Sequence, residues 1–144
     1  MKAAAGHRAR TESPVKFEFR HARTVNKTPA MKSTLFEKII AREIPADLVY
    51  EDDLVAAFRD VKPQAPTHLL IVPKKPIPRV AEAAPADQAL LGHLLLKAAA
   101  VAAQAGLKEG GYRLVINNGP HGGESVPHLH CHILGGRAMT WPPG

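Results

Sequence analysis

The stretch His128-Leu129-His130-Cys131-His132 places three histidines at alternate positions. In a β-strand, successive side chains point to opposite faces, so Leu129 and Cys131 would face the core and the imidazoles the other side. The three rings would then form a row with a spacing of about 7 Å. Because imidazoles change charge near neutral pH, such a row predicts acid–base or nucleophilic chemistry more than an ordinary surface strand.

The segment just upstream predicts a site for an anion. Gly122-Gly123-Glu124-Ser125 combines flexible backbone N–H groups with one hydroxyl. Concave loops of this kind bind phosphate oxygens, although a lone Gly-Gly-x-Ser is also typical of a turn. Its position two residues before the histidines favours nucleophilic attack at phosphorus, with one imidazole attacking and its neighbours moving protons.

A metal site is the alternative for the same histidines, because imidazoles two residues apart on a strand can reach one ion. Zinc usually requires three or four protein ligands. The nearest further candidate is Glu124, and the sequence has no second His-x-His pair and only one cysteine. We therefore expect no metal and no cofactor.

Length and composition predict one globular domain. The chain has 144 residues, with 45% hydrophobic and 22% charged residues, which is typical of a single folded core. No apolar run approaches the roughly 18 residues of a membrane span, so we expect no membrane association. The single Cys131 excludes an intramolecular disulfide and fits a reducing compartment, which predicts a cytoplasmic protein.

The positive charge is concentrated at the amino terminus. Residues 1–30 contain seven Lys/Arg and two Glu, and so carry five of the six net positive charges. The rest is nearly neutral, which argues against a nucleic-acid partner. With few aliphatic residues, residues 1–30 are predicted to be a disordered basic extension before a folded domain at 31–144. A mitochondrial or plastid transit peptide, or translation starting at Met31, are the alternatives.

Hydrophobic periodicity predicts an α+β fold with an antiparallel sheet of about five strands and two helices. The final two strands are joined by a short Gly-rich loop and should pair antiparallel, and strands and helices do not alternate regularly. The predicted elements are a helix from Ser33 or Thr34 to Glu43, strands at 49–50, 54–59 and 68–72, a helix at 86–105, and strands at 112–117 and 126–134.

Several segments together resemble the histidine triad (HIT) family. Residues 128–134 match its His-φ-His-φ-His-φ-φ motif, in which φ is apolar. Residues 58–68, Gly135-Gly136-Arg137 and the terminal Trp141-Pro-Pro-Gly resemble its nucleotide-binding branch, the nucleoside phosphoramidate hydrolases. The resemblance extends from about Thr34 to Gly144. It implies a homodimer in which the sheet continues from one subunit into the next.

The resemblance implies hydrolysis of the P–N bond in purine nucleoside 5′-phosphoramidates, such as AMP–lysine-like compounds, and of aminoacyl-adenylates. It implies that His130 is the nucleophile and forms a nucleotidyl-histidine that water cleaves. His68 would hold the other ring nitrogen of His130, and His128 would support the network. His132 and Ser125 would contact phosphate oxygens or the leaving amine.

The same resemblance implies the nucleotide contacts. The backbone N–H of Gly123 would bind phosphate, Asn117 would bond near the ribose and phosphate, and Asp60 would take the ribose hydroxyls. Asp60 and Asn117 are equally typical of turns, and the apolar candidates are equally explained as core residues. The residues implied to line the base pocket are Leu35, Phe36, Ile39, Phe58 and Val61.

Two positions depart from the family pattern, and both bear on the leaving group. Pro127 stands where many members have an aromatic residue, which predicts a sheet edge or bulge at the strand entrance. Arg59 adds a cation beside Asp60. The resemblance also implies that the tail containing Trp141 lies near the partner subunit's site and shapes its leaving-group pocket.

Three functions remain as alternatives to the phosphoramidase. Dinucleoside polyphosphate hydrolysis and nucleotidyl transfer are reactions of the same family, and a non-catalytic AMP-binding regulator would use the same nucleotide contacts. Three imidazoles beside a phosphate site favour an enzyme, because plain anion binding more naturally uses Arg or Lys.

Overall fold

The computed structural model describes residues 33–144. The predicted extension at residues 1–30 and the possible start at Met31 lie outside this part of the chain. The described residues fall within a single compact unit that begins at Lys32. Among these residues, no helix has both the length and the apolar character needed to cross a membrane.

An antiparallel five-stranded sheet forms the centre of the fold, in the order β1-β2-β3-β5-β4. This confirms the predicted α+β class. The two predicted helices are present, and a third, four-residue helix lies within the Gly-rich loop. The strands are β1 (Leu48–Glu51), β2 (Val55–Arg59), β3 (Thr67–Pro73), β4 (Tyr112–Val115) and β5 (Cys131–Gly135), and the helices are α1 (Leu35–Ile40), α2 (Gln88–Gln104) and α3 (Gly119–Gly122).

Helix α1 begins at a capped amino terminus and buries an apolar edge. The Thr34 Oγ1 accepts a hydrogen bond from the Glu37 N–H at 3.2 Å, as the sequence predicts. Phe36 and Ile39 are buried. The helix ends at Ile40, before the predicted Glu43, because Arg42 adopts a positive φ of 62° that no helix continues.

The two faces of the sheet bury different clusters. On the first, here called the helix face, residues of β2, β3 and β5 join α2 in the main core, which includes Val55, Ile71 and Ile133. The opposite face, here called the histidine face, carries a smaller cluster that packs with α1 and includes Phe58 and Leu70. Neighbouring residues of one strand therefore pack into different clusters, one with α2 and one with α1.

Strand β5 is shorter than the sequence predicts. It begins at Cys131 and not at Val126, so only His132 of the three histidines lies in the ladder. Pro127 has no N–H to donate, and the Leu129 N–H instead donates to the Ile77 carbonyl at 2.7 Å. The alternation nevertheless persists, since Leu129, like the core residues of β5, is buried on the helix face.

Candidate active site

A cavity of about 460 Å³ opens on the histidine face between α1, the end of β2 and the start of β5. It brings together most of the residues that the sequence proposes, although they come from separate segments. Asn117, Gly123, His68 and His128 are not among those that line it. The proposed residues at the cavity wall are Leu35, Phe36, Ile39, Phe58, Asp60, Val61, Ser125, His130 and His132.

His130 is held in one tautomer by its own backbone neighbourhood. Its Nδ1 lies 2.7 Å from the His128 carbonyl oxygen, which can only accept, so Nδ1 carries the proton. In the neutral ring, Nε2 is then left with a free lone pair. The ring is only 5% exposed, and Phe36 packs edge-on against it with the ring centroids 4.9 Å apart. His130 therefore presents a nucleophilic nitrogen in a fixed orientation.

His68 contacts His132, and the prediction that it holds His130 is wrong. The His68 Nε2 lies 2.8 Å from the His132 Nδ1. The register explains this, because Leu70 of β3 is opposite His132 in β5, which makes His68 its diagonal neighbour on the same face. His130 precedes the ladder, and the backbone of His128 fills the role that we assigned to His68.

A chain of hydrogen bonds sets the tautomer of His132 as well. The backbone N–H of Gln64 donates to His68 Nδ1 at 3.0 Å, so His68 must carry its proton on Nε2. His68 Nε2–H then donates to His132 Nδ1, which leaves the proton of His132 on its Nε2. Burial, with His130 and His68 nearby, lowers the pKa of His132 to about 4. His132 is therefore a neutral N–H donor.

His128 acts through its backbone and anchors the strand entrance. Its Nε2–H donates to the Pro73 carbonyl at 2.7 Å, and burial lowers its pKa, which keeps the ring neutral. Its Nδ1 has no hydrogen-bond partner among residues 33–144. The ring also packs edge-on against Phe36 with the centroids 6.1 Å apart. His128 thereby fixes the carbonyl that orients His130.

Asp60 stabilises a turn and also lines the cavity. Its Oδ1 accepts from the Lys62 N–H at 2.8 Å, as an Asx turn does. Its Oδ2 lies 3.4 Å from His68 Nε2. Burial lowers the pKa of His68 although the Asp60 carboxylate opposes that shift. Asp60 therefore links the cavity wall to the His68–His132 pair.

The Gly-rich loop differs from its predicted role. The Gly123 N–H donates to the Pro120 carbonyl at 3.1 Å and so is not free for phosphate. Gly123 itself has a φ of +80°, which ends α3. Asn117 is half-buried beside Gly122 and does not reach the cavity wall. Ser125 is exposed there.

Sequence reasoning missed the ion pair that fixes this loop. Arg79 Nε bonds both carboxylate oxygens of Glu124, at 2.9 and 3.1 Å. Glu124 also accepts from the Gly119 N–H at 2.7 Å. The pair joins residues 45 positions apart, so no local pattern could have indicated it. It secures the segment that ends in Ser125.

The Gly135-Gly136-Arg137 motif begins at the last residue of β5 and contacts the segment that holds His68. A Cβ on Gly135 would lie 2.6 Å from Leu107, and Gly136 has a φ of +88°. Arg137 Nη2 donates to the Gln64 carbonyl at 3.1 Å. Because the N–H of Gln64 fixes the tautomer of His68, the contact from Arg137 helps to hold Gln64 in the position that this hydrogen bond requires.

Asp60, His68 and His132 could also hold a metal ion, since their ligand atoms all lie within 4.8 Å of one another. The two nitrogens are 2.8 Å apart, whereas two nitrogens on tetrahedral zinc are about 3.3 Å apart. An ion would have to replace the hydrogen bond between them. The geometry is that of a hydrogen-bonded network.

Curated proteins of known sequence are similar to this chain over most of its length. A purine nucleoside phosphoramidase of Escherichia coli is 52% identical over 108 residues, which are 75% of this chain and 91% of that protein. An uncharacterised HIT-like protein of Synechococcus elongatus is 65% identical over 113 residues, or 78% of this chain and 98% of that protein.

Solved structures of HIT proteins are similar to this chain as well. A HIT family hydrolase of Legionella pneumophila superimposes with a TM-score of 0.76 and 53% identity, covering 78% of this chain and all of that one. A histidine triad nucleotide-binding protein of Candida albicans has a TM-score of 0.67 at 28% identity, covering 76% and 83%. The HIT domain model matches residues 41–139. The chain therefore belongs to the HIT domain family.

Proposed function

We propose that this protein hydrolyses purine nucleoside 5′-phosphoramidates and aminoacyl-adenylates through a covalent nucleotidyl-histidine on His130. The observation that carries the proposal is the pair of complementary tautomers. His130 offers a lone pair on Nε2, while the adjacent His132 offers an N–H, and their rings lie 5.0 Å apart. The name of the Escherichia coli relative supports the choice of substrate.

In the first step, His130 Nε2 attacks phosphorus and the P–N bond breaks, with its electron pair leaving on nitrogen. That nitrogen takes a proton from the Ser125 hydroxyl, which takes one from water. His132 Nε2–H donates to a non-bridging oxygen and stabilises the developing charge. The Nδ1–H of His130 stays bonded to the His128 carbonyl and shares the positive charge of the phosphorylated ring.

In the second step, water attacks the phosphorus and the bond to His130 Nε2 breaks, which releases AMP and restores the lone pair. The proton lost by the attacking water returns to solvent and balances the one taken up in the first step. His68 holds His132 in the donor tautomer throughout. None of these steps changes the tautomers that the backbone imposes.

The apolar part of the cavity is the proposed base site. Phe36 and Phe58 form a tilted aromatic pair with centroids 5.5 Å apart, and Ile39 lies beside them. Val61 is 91% exposed at the cavity rim, where a bound base would cover it. The Asp60 carboxylate at the wall would accept the ribose hydroxyls.

The test compares an adenosine 5′-phosphoramidate, a dinucleoside polyphosphate and a nucleotide sugar side by side, with acid-free quenching to trap a histidine adduct. We expect turnover of the phosphoramidate and an adenylyl group on His130. Turnover of the polyphosphate alone would assign the chain to another HIT reaction. Binding of AMP without turnover of any substrate would make it a regulator.

We further propose a homodimer joined through β4 and the exposed side of α2. β4 is an edge strand of the sheet, and Leu96 of α2 is 74% exposed. An open sheet edge and an exposed apolar side chain each favour contact with a second copy. Light scattering should give a dimer mass, and Leu96→Glu should shift it to the monomer. The predicted cytoplasmic location rests on the single buried Cys131.

A further inference from the structure

A second cavity, of about 520 Å³, adjoins the active site and is not used by the nucleotide contacts above. Arg79, Glu124 and Pro127 line it, and Ser125 lines both this cavity and the one that contains His130 and His132. The two cavities therefore meet at the side chain that we place beside the scissile bond. We refer to the second one as the Arg79 cavity.

Arg79 is bonded to two carboxylates, which together exceed its charge by one negative charge, and of the two Glu124 lines the cavity. Arg79 bonds Glu124 through Nε and Glu82 through Nη1, so one guanidinium faces two carboxylates. The Glu124 side chain is only 9% exposed. The hydrogen bond from Arg79, with that from the Gly119 N–H, lowers the pKa of Glu124 and keeps it charged. Within residues 33–144, no carboxylate bonds the Nη2 of Arg79.

This inference rests on the proposed function, in which the apolar cavity takes the nucleoside. The group on the other side of the P–N bond must then lie beyond Ser125. We propose that the Arg79 cavity binds the leaving group, and that Glu124 selects amines bearing a positive charge over anionic leaving groups such as a phosphate chain. Because Glu124 is nearly buried, solvent screens its charge less than that of a surface carboxylate.

The experiment uses three adenosine 5′-phosphoramidates whose leaving amines have equal length and end in an ammonium, a neutral hydroxyl or a carboxylate. The kcat/KM of each is measured for the full chain, for Glu124→Gln, and for the matched control Glu109→Gln, which is an exposed residue before β4. The amide oxygen of Glu124→Gln can still accept from the Gly119 N–H and from Arg79 Nε, so the variant removes the charge and one of the two bonds to Arg79.

We expect the full chain to prefer the ammonium substrate. Glu124→Gln should lower the ammonium-to-neutral ratio of kcat/KM by about five- to thirtyfold, as one charge at roughly 8 Å and an effective dielectric constant of 20–40 implies. Glu109→Gln should leave the ratio within twofold. The carboxylate substrate should gain in Glu124→Gln.

The two proposals fail in different ways. If Glu124→Gln hydrolyses the neutral substrate but leaves the ratios unchanged, the selectivity of the Arg79 cavity is overturned while the phosphoramidase stands. If the full chain hydrolyses none of the three, the proposed function itself is wrong. Should Glu124→Gln not fold, Arg79→Gln decides, because it must raise the ammonium-to-neutral ratio, and an unchanged ratio overturns the inference.

Discussion

The helix face and the histidine face of the sheet are built from the same strands and carry different side chains. Along β5, Cys131 and Ile133 are fully buried against the core with α2, whereas His132 between them faces the cavity. Along β3, Leu69 and Ile71 lie in the core while His68 lies on the other face. The helix face carries the main apolar core, and the histidine face combines a smaller apolar cluster with the hydrogen-bonded rings.

The contrast shows how a small domain combines stability with chemistry. The helix face buries aliphatic side chains, and that burial stabilises the fold without any special geometry at polar atoms. On the histidine face, the tautomers trace back to backbone groups, the His128 and Pro73 carbonyls and the Gln64 N–H, the last acting on His132 through His68, so orientation comes from the backbone. Substitutions on the two faces should therefore separate turnover from stability.

The largest effect is expected at the strand entrance, where His130 and Cys131 are adjacent in sequence and face opposite ways. His130→Ala removes the proposed nucleophile and should lower kcat by about 10⁴-fold or more, which is about 5 kcal/mol or more in activation free energy. Cys131→Ala should keep kcat within a few fold and lower the free energy of unfolding by about 1 kcal/mol. Near-normal turnover by His130→Ala would remove it from the mechanism.

On the helix face, Ile133→Ala leaves a cavity against α2. Its free energy of unfolding should fall by about 2–5 kcal/mol, because the side chain is fully buried. Urea denaturation measures this loss, and kcat per folded molecule should be unchanged at low temperature. A large loss of kcat with normal stability would contradict the division of labour between the faces.

His68 acts through His132, so its removal should have an intermediate effect. His68→Ala frees the His132 ring and should lower kcat by about ten- to a hundredfold, or about 1.4–2.8 kcal/mol, with little change in KM. His68→Gln, whose amide can still donate, should recover part of the rate. If both variants lower kcat equally, the His68 contact is only structural.

The smallest effect is a pH dependence of stability that arises from the histidine face. His68, His128 and His132 all have a pKa below that of an exposed histidine, mainly because they are buried. Between about pH 6.5 and 4, the unfolded chain thus binds more protons, and the free energy of unfolding falls as pH falls. Each contributes at most about 1.4 kcal/mol per pH unit, less where solvent screens it.

Urea denaturation at pH 7, 6 and 5 measures this slope. Between pH 7 and 6 the carboxylates stay ionised, so this part of the slope reports the histidines. His132→Asn should make the slope shallower. A stability that rises as pH falls from 7 to 5 would mean that ion pairing, such as that of His68 with Asp60, outweighs burial, and would contradict this prediction.

Local patterns predicted much of the fold and the row of histidines, whereas the resemblance to the HIT family implied the other residues of the site. Thr34 as a cap, the helix near 88–104 and the strand around Leu69 follow from turn chemistry and periodicity. The alternation of Leu129 with the histidines also holds. These features depend on residues close together in the chain, which is why the sequence alone could reveal them.

Contacts between distant segments could not be predicted in the same way. The partner of His68 depends on the register of β3 with β5, which no single strand specifies. The early start of β5 depends on where Leu129 finds a carbonyl, namely at Ile77. The bond from Arg79 to Glu124 likewise joins two loops. Each of these was fixed by tertiary packing.

The central claim is that backbone groups impose opposite tautomers on His130 and His132. The most direct test is the ¹⁵N–¹H correlation spectrum of the imidazole rings of the free protein near pH 7.5, assigned with His130→Asn and His132→Asn. We predict a proton on Nδ1 of His130 and on Nε2 of His132. A proton on Nε2 of His130, or a fully protonated His130 ring, would contradict the account, because the attacking lone pair would be absent.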